Sequence, residues 1–156
     1  MTVVLASLKA DLKREKEGAW IDYPDWPGVA FNVSSIQLPA YVTARDLLFQ
    51  KLARKYKKKP IPKLVLSVEL GRLYAAHLLH GWRGLDVQYT PDTAMETLTA
   101  PEYRDVVIAV EYCAAQVSEI NVKFLDEEGD DGEQGEEDEG DDGDEEGNSR
   151  QPSEIA

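Results

Sequence analysis

Two histidines, one cysteine and scattered carboxylates are the side chains of this sequence that could carry chemistry. His77 and His80 are three residues apart, which would place both imidazoles on one face of a helix. A protein zinc site needs three or four ligands, and no Asp, Glu or Cys follows at a matching spacing in this segment. Cys113 has no second cysteine to pair with and falls on an apolar helix face, which is typical of a free, buried thiol. The sequence therefore predicts no metal, no cofactor and no disulfide.

The known catalytic motifs are also missing from the sequence. It contains no Gly-rich phosphate loop, no nucleophile elbow, no HExxH and no CxxC. We therefore expect a protein that is not an enzyme. No apolar run approaches the roughly 20 residues of a membrane-spanning helix, and the N-terminus lacks the pattern of a signal peptide. We expect a soluble, cytoplasmic protein with no membrane partner.

Charge is distributed very unevenly along the 156 residues. Of the 30 acidic and 17 basic residues, 16 acids and one base lie between Asp126 and Ala156, a net charge of −15. The remaining 14 acids and 16 bases leave residues 1–125 at a net charge of +2. A segment of Asp, Glu and Gly with almost no apolar residue cannot offset the entropy of ordering, so 126–156 is predicted to be a disordered tail.

Four roles are open for this acidic tail. It could keep the protein soluble, mimic a nucleic acid, mask a sticky surface until a partner arrives, or fold onto a basic cluster of the same chain. That cluster follows a predicted helix and consists of Arg54, Lys55, Lys57, Lys58 and Lys59. Because the rest of 1–125 is close to neutral, nucleic acid is not expected as a partner.

The residues before the tail predict one domain, 1–125, that is mainly α: a small helical bundle with one short β-hairpin. Its centre is Pro62–Gly84, predicted as a helix that ends at the glycine caps Gly81 and Gly84. This segment has too many apolar residues for one surface stripe. We therefore expect other helices to enclose it on most sides.

The remaining elements follow from spacing and turn residues. Alternation of aromatic and β-branched residues around Pro-Asp-Trp-Pro-Gly predicts a hairpin near 19–34. Apolar residues at intervals of three and four predict four further helices, at Thr2–Glu17, Pro39–Lys58, Thr90–Thr99 and from Pro101 to about Leu125. Thr90 is the expected N-cap of the third of these, and Thr43 is an alternative N-cap for the second.

The first helix and the hairpin carry apolar side chains that could pack on the domain itself or on a partner. A lone hairpin is marginal in water, so it must pack on helices or on another subunit. Two interpretations stay open: these side chains close the domain's own core, or they contact a partner or a second copy. The residues concerned are Leu5, Leu8, Leu12, Trp20, Trp26 and Phe31.

The order of these features resembles the tail assembly chaperones of long-tailed bacteriophages. The resemblance covers most of residues 15–120. It rests on the hairpin GAWIDYPDWPGVAFNV, the segment GRLYAAHLLHGWRGLD and the segment VQYTPDTAMETLTAPEYRDVVIAVEYCAAQ. The acidic tail is not part of the pattern.

The resemblance implies a non-catalytic role in the host cytoplasm. Chaperones of this family bind the long, helical tape measure protein, keep it soluble, bring in tail tube subunits and leave before the virion is complete. Two other functions remain open. One is a structural virion protein of the tail or the head-tail connection, which would stay in the particle, and the other is an acidic nucleic-acid mimic.

Overall fold

The computed structural model describes residues 1–125, and the predicted disordered tail at 126–156 lies outside the described residues. Of the described residues, 54% are helical, and five α-helices account for most of them. The chain divides into two compact units. Among the described residues, one unit contains Ala10–Ile120, and the other combines Met1–Lys9 with residues 121–125.

The smaller unit is built on a two-stranded antiparallel sheet. Strand β1 (Thr2–Val3) pairs with strand β5 (Phe124–Leu125), and the amide of Val4 donates to the carbonyl of Lys123 at 2.8 Å. A 3₁₀ turn, Leu5–Leu8, follows β1. Within this turn the Ser7 hydroxyl donates to the carbonyl of Val4 at 2.6 Å and accepts from the amide of Lys123 at 2.9 Å.

The predicted helix Thr2–Glu17 is therefore wrong. Only its last part is helical, as α1 (Leu12–Glu17), which begins where the Asp11 carboxylate accepts from the amide of Arg14 at 3.1 Å. The leucine spacing was compatible with a helix. Strand pairing with β5 and the Ser7 hydrogen bonds satisfy the backbone groups of residues 3 and 4 instead, so the helix starts later.

The larger unit combines helices with a three-stranded antiparallel sheet of order β2-β3-β4. Its helices and strands, with the bounds that the structure gives them, are α1, β2 (Ala19–Asp22), β3 (Ala30–Val33), α2 (Pro39–Tyr56), α3 (Lys63–Leu73), β4 (Leu79–Arg83), α4 (Pro91–Leu98) and α5 (Arg104–Gln116). The predicted hairpin is confirmed as β2 and β3, with Ile21 opposite Phe31.

The predicted central helix is wrong in its second half. It is regular only over α3, continues through one π turn, Tyr74–Leu78, and then becomes strand β4. Strand β3 is the physical reason. Its residues are largely buried, so its backbone groups need hydrogen-bond partners on both edges, and β4 supplies the second edge. Gly81 therefore lies inside a strand and caps no helix.

Two other helices match their predictions closely, and one is shorter than predicted. The predicted helix Pro39–Lys58 is confirmed as α2, with Thr43 inside it and not at its N-cap. Thr90 caps α4 as expected, its hydroxyl accepting from the amide of Thr93 at 3.0 Å. The last helix, α5, ends at Gln116 and not near Leu125, because residues 123–125 pair with the N-terminal strand.

The core lies between the sheet, the π turn and the helices α4 and α5. Phe31 and Val33 of β3 are fully buried there, and helices α4 and α5 contribute a larger apolar set: Ala94, Leu98, Val107, Ala109, Val110, Cys113 and Ala114. Among the glycines of the described residues, Gly71 lies closest to the backbone of another segment. A Cβ atom on this residue would stand 1.9 Å from the carbonyl oxygen of Leu98. A glycine is disfavoured inside a helix, so its presence in α3 reflects this contact.

Replacing Gly71 with Ala should lower the free energy of unfolding by about 2 kcal/mol or more, because α3 must move away from the end of α4. Gly81→Ala is the matched control, since its new Cβ would make ordinary contacts with the Trp20 ring at 3.5 Å and with Asn32 Cβ at 3.9 Å. Urea denaturation of both variants measures the difference. Equal losses of stability would contradict the packing described here.

Cys113 is free and buried, as predicted. Burial, with a smaller contribution from the Asp22 carboxylate, raises the pKa of its thiol to about 11. Because the thiolate is the reactive form, the folded protein should react very slowly with a disulfide reagent at pH 8. In denaturant, one thiol per chain should react within the mixing period. A native rate equal to the denatured rate would show that this part of the core is open.

Candidate functional site

Helix α3 is rich in large aliphatic residues, and the chain covers most of them in part. Six of its eleven residues are large and aliphatic; five of these are partly buried, while Leu64 is 48% exposed. Helices α2, α4 and α5 all contact α3, in line with the prediction that other helices enclose this segment on most sides. The face of α3 that carries Leu64 and turns toward α5 is the part left open.

This open face forms one wall of a half-open groove of about 500 Å³, which we name the α3–α5 groove. Its other wall is helix α5. The lining is mainly apolar and consists of Lys63, Leu64, Leu66, Ser67, Leu70, Tyr74, Arg104, Val107, Ile108 and Glu111. The volume lies within the range of sites that bind small ligands or several side chains of a partner.

The two walls of the groove run in the same direction. Val107 of α5 lies against Gly71 of α3, and one helical turn later Glu111 lies beside Tyr74. Arg104 must therefore be near the start of α3, on the side of Lys63. The groove has a basic end formed by Lys63 and Arg104 and an acidic residue, Glu111, near its other end.

Ile108 explains why the groove stays open on the α5 side. The buried face of α5 carries Val107, Val110, Cys113 and Ala114 at helical spacing. Ile108 lies off that face and is 53% exposed. Together with Leu64 it forms the apolar rim of the groove.

Beyond Tyr74 the groove continues into a second pocket of about 250 Å³, which shares Leu70, Tyr74 and Glu111 with it and is completed by Ile36, Tyr41, Arg45 and Phe49. The rings of Tyr41 and Tyr74 have centroids 5.8 Å apart. The guanidinium of Arg45 lies 5.9 Å from the centroid of the Tyr41 ring. This pocket gives the groove an aromatic floor with polar atoms at one end.

The two buried tyrosines keep their protons. Burial raises the pKa of Tyr74 far above its ordinary value, and the Tyr41 phenol and the Glu111 carboxylate raise it further. Burial also raises the pKa of Tyr41. Their phenols therefore serve as neutral hydrogen-bonding groups at the groove floor.

The residues predicted to contact a partner lie outside the groove. Phe31 is buried in the core, so it offers no surface to another protein. Trp26 is half-buried and packs edge-on against Tyr23 at 4.8 Å. Trp20 is exposed, and the guanidinium of Arg83 covers its ring at 4.6 Å. Trp26 thus stabilises the turn of the hairpin, and Trp20 stabilises the sheet through Arg83.

The three predicted leucines are exposed on the surface. Leu12 is 73% exposed at the start of α1, while Leu5 and Leu8 are exposed in the smaller unit. Sequence reasoning missed Leu64 and Ile108 as surface residues. The available signal was the excess of apolar residues in the central segment, which we interpreted as burial by the chain itself.

The histidines do not come together as one helical pair. His77 lies in the π turn and His80 on strand β4. His80 Nε2 is 2.6 Å from the Ser34 hydroxyl, which itself donates to the carbonyl of Lys16 at 2.9 Å. The imidazole must then donate to Ser34, the reverse of what a nucleophilic serine needs. Among residues 1–125, no three His, Cys, Asp or Glu side chains are grouped so that they could hold a metal ion.

Two further findings bear on function. None of the helices between residues 1 and 125 combines the length and apolar character that crossing a membrane requires. Comparison of the chain with protein-family models, with curated proteins and with solved structures finds no match.

The buried phenols of Tyr41 and Tyr74 should make the protein less stable at alkaline pH, where they ionise more easily in the unfolded chain. The pKa of Tyr74 is higher in the folded chain than the ordinary value near 10. The contribution of the protonated Tyr74 phenol to the free energy of unfolding is therefore complete below about pH 10 and is lost as pH rises above that value. The free energy of unfolding should therefore fall between about pH 10 and 11. Tyr74→Phe should show a smaller fall, measured by urea denaturation at each pH. An unchanged slope would show that Tyr74 ionises equally easily in both states.

Proposed function

We propose that this protein is a non-catalytic chaperone of phage tail assembly, and that the α3–α5 groove binds an amphipathic helical segment of the tape measure protein. The single observation that carries this proposal is the open, apolar face of α3. Exposed apolar grooves of this kind receive the apolar face of a helix, which supplies residues at intervals of three and four. The sequence resemblance described above supports the choice of partner.

The dimensions of the groove suit such a segment. Helix α3, from Lys63 to Leu73, is about 16 Å long at 1.5 Å per residue, or about three helical turns. A helix laid along it would cover the exposed Leu64 and Ile108 and the partly buried Leu66 and Leu70. Covering the apolar stripe of a long helical protein in this way would keep that protein soluble until it is assembled.

Charge supports the same role. Residues 126–156 carry a net charge of −15, and copies bound along one filament would repel one another and remain soluble. In this proposal the protein acts in the host cytoplasm and helps to recruit tail tube subunits, then leaves before the virion is complete.

Replacing either rim residue with a charged one should disrupt binding. Leu64→Glu and Ile108→Glu should each weaken binding of a tape measure segment at least about tenfold, because a carboxylate would then face an apolar helix. Fluorescence anisotropy with labelled helical segments of the tape measure protein measures the affinity. Co-expression should show less soluble tape measure protein with either variant.

Leu47→Glu is the matched control. Leu47 is 59% exposed on α2 and does not line the groove, so the same change there tests for a general effect of an added charge. Circular dichroism and thermal unfolding verify that all three variants are folded. Unchanged affinity in both rim variants, or an equal loss in the control, would rule out the groove as the binding site.

A further inference from the structure

We infer that, without its partner, the α3–α5 groove is covered by the same groove of a second copy, with the two α3 helices antiparallel around a two-fold axis. This inference rests on the groove of the proposed function and concerns what occupies it in the free protein. It is carried by the charge pattern along the groove together with its exposed apolar rim.

The charges are self-complementary under a two-fold axis. Lys63 and Arg104 form one end of the groove and Glu111 lies near the other. In an antiparallel pair, the basic end of each copy faces Glu111 of its neighbour, and both contacts form twice. A parallel pair would place like charges together, which costs free energy. The pattern thus selects one orientation.

The charged groups are available for such contacts. Within residues 1–125, neither Lys63 nor Arg104 has a carboxylate within 4.0 Å, since the ion pairs found there are Arg45 with Asp46 and Arg72 with Glu69, both at 3.7 Å. Arg45 also lines the pocket near Glu111, but Asp46 is its partner. Glu111 therefore remains the carboxylate of the groove that can receive a cation from outside.

The apolar rim fits the same arrangement. Leu64 and Ile108 project from the edge of a groove of about 500 Å³ that the chain does not fill. In the antiparallel pair the rim side chains of each copy enter the groove of the other, so the exposed apolar surface of both is removed from water. The antiparallel direction also sets the positive end of each helix dipole near the negative end of its neighbour.

The chain itself offers no better occupant. Residues 126–156 contain Ile155 as their one large aliphatic residue and carry a net charge of −15, so they cannot supply an apolar stripe of three turns. A second copy supplies an apolar helix of the right length with charges in the right order. A helical partner would then bind by displacing one copy from the other.

Charge reversal tests the arrangement. Sedimentation equilibrium of the full chain at about 0.15 M salt, where repulsion between the acidic tails is screened, should show a dimer, and the double variant Lys63→Glu with Arg104→Glu should weaken dimerisation at least about tenfold. Glu111→Lys should do the same. An equimolar mixture of the two variants should restore dimerisation, because each basic end then faces an acidic one again. Lys51→Glu, an exposed change on α2 outside the groove, is the control.

Three results would overturn the inference: a wild-type chain that is monomeric at all concentrations, a mixture that associates no more than its separate components, or an equal effect of the control. These measurements contain no tape measure segment, so they can fail while the rim variants still abolish partner binding. Conversely, intact dimerisation with no binding of any tape measure segment would reject the proposed function alone.

Discussion

The pairing of strand β3 on both of its edges determines much of this structure. β3 lies between β2 and β4 and is almost entirely buried, so an unpaired edge would leave backbone groups without partners in the core. The chain meets this need by ending the central helix early and using Leu79–Arg83 as a strand. The π turn between them places Tyr74 and Leu78 in the core. Helix α3 is thus fixed at its C-terminal end, while Leu64 near its N-terminal end is 48% exposed.

The same constraint explains which parts of the fold could be predicted. The hairpin and the helices α2 and α4 have local signals: a Pro-Asp-Trp-Pro-Gly turn, continuous helical spacing and the Thr90 cap. The change from helix to strand after Leu78 has no such signal, because a strand is favoured there only once β3 is in place. The predictions for the first helix and for the end of the last helix failed for a related reason. Residues 2 and 3 pair with residues 124 and 125, which are over a hundred positions away in the sequence.

The site was harder to predict than the fold. Sequence reasoning left it open whether the aromatic residues of the hairpin contact a partner or close the domain's own core, and the structure uses Phe31 in the core and Trp26 in the turn. It recognised that the central segment has more apolar residues than a surface helix needs. It could not tell whether this excess is covered by the chain or left for another molecule, since both give the same periodicity. The exposed fractions of Leu64 and Ile108 distinguish the two.

The central claim is that the open face of α3 exists to be covered by another helix. Hydrogen–deuterium exchange of the full chain, with and without a tape measure segment, tests it most directly. The account predicts slower amide exchange in Lys63–Tyr74 and Arg104–Glu111 on binding, with little change in the sheet β2-β3-β4. Protection confined to the sheet or to the N-terminal residues, with none in α3, would contradict it.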